Sequence, residues 1–213
     1  MITELEMQAN KEKFIAYCHE FIGERDGLER LLKYMDDSGF YTAPSSTNFH
    51  LNVEGGLCKH SLNVFETARN IYENLLEPRR QAGDSSLNQP IPMESIAIST
   101  LFHDLCKMQM YHKTEKWKKD EAGRWVSYPG YEVKDDFPFG HGEKSCFIIE
   151  RFIRLKKSEL LAIRWHMCMF DVSEQGSAGR FSLRAAMDSE PLVTLVPTAD
   201  LLSSNCLEVT TKL

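Results

Sequence analysis

The 213-residue chain has no apolar run near the ~18 residues that a bilayer-spanning helix requires. Its N-terminal stretch MITELEMQANKEKFIAY lacks the basic start and apolar centre of a secretory signal. Basic residues are not in excess either, since 25 Lys and Arg against 31 Asp and Glu leave a formal charge of −6. That balance disfavours double-stranded nucleic acid as a partner, because blanket phosphate neutralisation needs a basic surface. The six cysteines (Cys18, Cys58, Cys106, Cys146, Cys168 and Cys206) include no Cys-x-x-Cys pair, so neither a zinc knuckle nor a thioredoxin-type redox motif is indicated. They read as reduced, small packing residues. Internal repeats and low-complexity segments are also missing. The expectation is one domain over 1–213, in the cytoplasm, with no membrane partner and an oligomeric state left open.

What is present is helical. Apolar residues recur at helix spacing at Leu5, Phe14, Ile15, Tyr17, Phe21 and Ile22, and again at Leu28, Leu31, Leu32 and Met35. The Gly-, Ser- and Asn-containing stretch from Ser38 to Gly56 reads as a loop, and the stretch LCKHSLNVFETARNIYENLL reads as a strong amphipathic helix. EPRRQAGDSSLNQPIP reads as a surface loop, followed by a helix from MESIAIST to about Met108. Between Tyr111 and Pro138 the pattern changes to that of a β-hairpin turning at Asp120 to Gly123. Helices resume at HGEKSCFIIERFIRL, at KSELLAIRWHMCMF with Ser158 as N-cap, at SLRAAMDS, and in a last helix that Pro197 should kink ahead of Asp200.

Chemistry is carried by polar residues set into apolar helices. His60 lies in GGLCKHSL, His103 and Asp104 in STLFHDLCKM, His141 at a helix start, His166 in LLAIRWHM, and Asp200 in LVPTADLL. A lone helical histidine is more often a packed, hydrogen-bonded residue than a ligand, and a lone aspartate is often a cap. The ordered set is different: five helical segments each supply an imidazole, a carboxylate or both, which is how a helical bundle assembles a metal centre. Four imidazoles and two carboxylates suit a pair of Fe, Mn, Ni, Co or Zn ions and are too rich in nitrogen for Ca or Mg alone.

The motifs GGLCKH, LFHDLCK, GHGEKS, RWH and TADLL resemble, in order and style, those of the HD-domain superfamily of metal-dependent phosphohydrolases. The resemblance covers about Gly55 to Ser204 and implies an all-α HD helical bundle with one hairpin insertion (about 111–138), preceded by packing helices and a loop over 1–54. It implies metal ligation by His60, His103, Asp104, His141, His166 and Asp200, with Asp104 bridging two ions, as in the binuclear members. Lys107 follows the His-Asp pair by three residues and shares its helical face. It is a solvated helix-end lysine on the plain reading, and a substrate clamp where the resemblance is followed. Glu143 and Arg164 are weaker substrate-binding candidates, and His112 could face the pocket or solvent. Cys106 and Cys168 stand where relatives commonly carry glycine, His19 and His50 fall outside the motif, and Pro197 is unusual at its site.

The activity implied is hydrolysis of a small phosphoester, a nucleotide or cyclic nucleotide among the candidates, by a metal-bridged hydroxide, with Asp104 and Lys107 as the catalytic residues. Diiron oxygenases resembling myo-inositol oxygenase use nearly the same ligands, and a non-catalytic metal-binding module is the third alternative. The lysines and aromatics of the hairpin could form a substrate-selecting lid, or an ordinary solvated hairpin stapled by its tryptophans.

Overall fold

In the computed structural model, which describes residues 2–171 and 176–208, the described residues form nine α-helices and one largely exposed two-stranded hairpin. Helix α1 (Glu4–Tyr17) starts at a capping box in which Thr3 Oγ1 accepts from the Glu6 amide and Glu6 Oε2 accepts from the Thr3 amide. It continues through a π-turn at Cys18–Ile22 and is followed by α2 (Leu28–Asp37). After the loop come α3 (Gly56–Ile71), a second π-turn (Tyr72–Leu76) and the short α4 (Glu77–Gln81). The stretch from Glu77, expected to be loop throughout, therefore begins with a helical turn, made by a Glu77–Arg80 pair at 2.6 Å on adjacent helical positions.

Helix α5 (Met93–Leu101) is buried from Ser95 to Leu101 and packs against α3, α7 and α9. A helix buried on all sides is mostly apolar. Of the hydroxyls this one carries inside, those of Ser95 and Thr100 are bonded, to Glu159 and to Ile96 O. It stops at Leu101, well before the expected end at Met108. His103 and Asp104 occupy the turn beyond it, and a 3₁₀ turn follows at Leu105–Gln109. The apolar residues Leu105, Cys106 and Met108 keep up the core contact, which is why periodicity alone carried the helix too far.

The hairpin pairs β1 (Tyr111–Lys119) with β2 (Trp125–Val133), and Gly123 N donates to Asp120 O at 2.9 Å in the expected turn. Trp117 pairs with Ser127 and Trp125 with Lys119, so the two indoles are not directly opposed. Then follow α6 (His141–Glu150), α7 (Lys157–Arg164), α8 (Ser177–Ser189) and α9 (Leu192–Leu202), the last unbroken across Pro197 and ending in a third π-turn at Ser203–Leu207. The cap of α7 is Lys156, whose amide donates to Glu159 Oε2 at 2.8 Å; Ser158 is already inside the helix. No helix among the described residues is long and apolar enough to cross a membrane.

Two glycines fix close approaches. A Cβ on Gly56 would lie 2.1 Å from Leu51 O, and one on Gly142 would lie 2.1 Å from Arg164 O. The first seats the start of α3 against the loop carrying His50. The second seats the start of α6 against the end of α7, one residue from His141 and two from His166.

Candidate metal centre

Two of the helix ends are where the site begins. The last carbonyls of an α-helix have no intrahelical partner, and in this protein histidine side chains meet two of them. His103 Nδ1 donates to Thr100 O at 2.7 Å beyond α5, and His166 Nδ1 donates to Ile163 O at 2.7 Å beyond α7. Carbonyls only accept, so each ring carries its proton on Nδ1 and turns Nε2 inward. His60, on α3, is fixed the same way by a carboxylate: its Nδ1 lies 3.0 and 3.1 Å from the two oxygens of Glu208, which also accepts from Asn63 Nδ2 at 2.9 Å.

The inward nitrogens converge. His60 Nε2 is 3.2 Å from His103 Nε2, 3.3 Å from Asp200 Oδ1 and 3.7 Å from Asp104 Oδ2. Asp104 Oδ2 is also 3.4 Å from His103 Nε2, while Oδ1 faces His166 Nε2 at 3.3 Å. The donor atoms form three overlapping triads, each within 4.8 Å: His103, Asp104 and His166; His60, His103 and Asp200; and His50, His60 and Glu208. His60, His103, Asp104 and His166 are all but sealed from solvent.

Asp104 Oδ1 and His166 Nε2 are buried and make no well-formed hydrogen bond despite their proximity. Stranded polar atoms of this kind are costly unless something binds them. Two imidazole nitrogens 3.2 Å apart with two carboxylates beside them need either a proton or a cation between them, and a divalent cation satisfies them all. His60, His103, His166, Asp104 and Asp200 therefore fit metal ions of the borderline class.

Without metal, protons balance the cluster. Burial opposes charge on His60, but Asp200 and Glu208 outweigh it and lift its pKa to about 10. Burial likewise opposes the charged form of His166, which Asp104 overcomes, raising it. Asp104 is held well below the ordinary carboxylate range: burial works against ionisation, and Lys107 and His103 prevail. Lys107 is raised for the reciprocal reason, burial being outweighed by Asp104 at 2.6 Å. Lys107 is thus a buried ion-pair partner, not a solvated helix-end lysine, and it also lines the cleft above the cluster.

The remaining expected residues are placed unevenly. His141 is half-buried and lines the same cleft but joins none of the triads; burial lowers its pKa. Glu143 and Arg164 pair with each other at 2.7 Å, and Arg164 also binds Asp171 at 2.6 Å and lies 3.9 Å over the Trp165 ring; neither lines the cleft. His112 is exposed on β1 and does not line it either. Of the hairpin, Tyr111 reaches the cleft, whereas Lys113 and Lys116 dock on the preceding loop through Glu54 at 3.1 Å and Asn48 at 2.7 Å. Cys106 is buried with its thiol pushed up to about 12, chiefly by burial, which suits packing better than ligation.

Two participants escaped the sequence. Glu208 is 148 residues from its partner His60, in a segment with no motif of its own. His50, set aside as outside the motif, stacks on His60 with ring centroids 4.8 Å apart, lines the cleft, and is kept neutral by burial and by the charges of His60 and Lys107, its pKa falling to about 4. Its only signal was a histidine in a polar loop just ahead of two glycines. Compared with protein-family models, with curated proteins and with solved structures, the chain has no match.

Proposed function

We infer that this protein is an HD-type, metal-dependent phosphohydrolase acting on a small phosphoester, with Asp104 shared between two ions. The observation that carries the reading is the fixed tautomer of three imidazoles, His60, His103 and His166, whose Nε2 atoms are all turned toward Asp104 or Asp200. Asp104 reaches both halves of the cluster, Oδ1 toward His166 and Oδ2 toward His60 and His103, which is what a bridging carboxylate must do.

Divalent ions held there would polarise a phosphoryl oxygen and acidify a water to near neutral pH. The residues of the chain supply the rest. Glu208, Thr100 O and Ile163 O keep the ligand rings aimed and basic. Lys107 keeps Asp104 ionised and, with N–H bonds left over, meets negative charge entering the cleft. His141, on the same wall, stands within reach of the cleft as a further polar contact or ligand.

The test is metal analysis of protein purified without chelators, followed by phosphomonoester and cyclic-nucleotide screens with Mn(II), Ni(II) and Fe(II), in air and without it. Phosphate release that depends on metal is the expected result. Oxygen consumption coupled to loss of a non-phosphate substrate would replace hydrolysis by the oxygenase chemistry of the same ligand set, and bound metal without turnover would leave a binding module.

A further inference from the structure

The cleft above the cluster, about 620 Å³, is unequal in its two halves. Its floor at the cluster is polar, with Lys107, His141, His166 and Asp200; its large apolar lining residues, Phe49, Met167, Met169, Phe170, Met187 and Leu201, form a wall interrupted by small polar side chains such as Thr198 and Ser204. Lys107 is the single lysine or arginine among the described lining residues, and its charge is already shared with Asp104 at 2.6 Å. Asp104 and Asp200 lie beside it. Past the metal positions the described lining offers no cation but Lys107, so one compact anionic group at the cluster is met by charge and the outer phosphates of a polyphosphate tail are not.

The wall has the opposite character. Phe49, Met169, Phe170 and Leu201 all line the cleft and are 69%, 64%, 71% and 52% exposed overall. Large apolar side chains left uncovered and gathered on one concavity mark a place where an apolar group binds. Three of the six wall residues are methionines, whose unbranched thioethers conform to a flat ring and contact it favourably through sulfur. Phe49 and Phe170 add ring faces and edges.

Resting on the phosphohydrolase reading for its polar half, we propose that the substrate joins a single anionic headgroup, seated at Lys107 and the metal cluster, to one aromatic ring seated on the Phe49–Met169–Phe170–Leu201 wall. A polyphosphate overfills the polar half, and a phosphorylated sugar without an aromatic ring leaves the apolar wall uncovered. An aryl monoester and a nucleoside monophosphate both share the required chemistry, and the difference between them is whether hydroxyl groups link ring to phosphate.

The experiment is calorimetric titration of Mn(II)-loaded protein with two matched series of inert ligands: phenylphosphonate against methylphosphonate, and benzoate against acetate. The expected result is at least about tenfold tighter binding of the phenyl member, ~1.4 kcal/mol, with most of that ratio lost in Phe170→Ala and in Met169→Ala. Both side chains are largely exposed, and a melting curve checks that the variants fold. Equal affinity of phenyl and methyl members in both series, or a ratio untouched by both substitutions, overturns the proposal. A phenyl preference among carboxylates with no phosphonate binding keeps the ring site and removes the phosphoester. Benzylphosphonate and a nucleoside 5′-phosphonate, run in parallel, then separate the two sources: tighter binding of the nucleoside compound assigns the linking hydroxyls a role, and equal binding assigns the ring alone.

Discussion

Lys107 Nζ meets Asp104 Oδ2 at 2.6 Å in a setting almost closed to solvent, three residues apart across the turn where α5 gives way to a 3₁₀ helix. The pair binds the helix end to the cluster and sets its charge. Asp104→Ala strands a buried ammonium, and losing one partner of a buried pair costs about 3–5 kcal/mol. Urea unfolding should show that loss in the metal-free protein, and Asp104→Ala combined with Lys107→Met should recover much of it. Metal content should stay low in both. Recovery of stability together with metal would mean that Asp104 is not a ligand.

Glu208 holds His60 through Nδ1, and removal of a carboxylate behind a ligand histidine typically weakens metal binding about 10–100-fold. Glu208→Gln keeps the shape and removes the charge. Cobalt(II) titration followed by its visible absorption should report a weaker site, and Glu208→Asp should fall between the two. Unchanged affinity would reduce Glu208 to a packing residue.

Metal and proton compete for His60 Nε2. Its metal-free pKa of about 10 lies above the ordinary value, so the stability its ion pairs provide is complete below about pH 6.5 and disappears as pH rises through 10. The same proton must leave when metal binds. Addition of Zn(II) to metal-free protein at pH 8 in weak buffer should release about one proton from this group, and the release should be missing in His60→Gln. Apparent affinity should rise with pH across that window.

Away from the site, Glu159 is fully buried and accepts from Arg25 Nη2 and Ser95 Oγ, each at 2.8 Å, tying α7 to α5 and to the segment between α1 and α2. Arg25→Ala leaves that carboxylate with the more distant Lys156 Nζ at 3.9 Å as its cation and should cost about 3 kcal/mol. Thermal melting measures it, and Arg25→Lys should restore only part, because one ammonium cannot also reach Glu94 and Arg154 O as the guanidinium does.

Helix positions and the hairpin were legible because burial imposes a period on the sequence: α3 and β1–β2 fall where alternation and amphipathicity put them. The breaks were not. His103 and His166 lie just past helix ends that the apolar pattern runs through, and only the side-chain caps on Thr100 O and Ile163 O account for the stops. Among the ligand candidates, His60, His103, Asp104, His166 and Asp200 come together as the ordered motifs implied, since each is polar where its helix should be apolar. His50 lies in a segment without helical periodicity and Glu208 beyond the last motif, so no pattern set either apart. The spacing put Lys107 on the face of His103 and Asp104 but did not show its ion pair with Asp104, which forms across a 3₁₀ turn and is buried.

His50 and Glu208 belong to one triad, so the groups that build it come from far-separated parts of the described chain. A chain made only as far as α7 has His60, His103 and Asp104 but not Asp200 and Glu208, the two carboxylates that pair with His60. The His60 side of the cluster is therefore complete only once synthesis has passed α9.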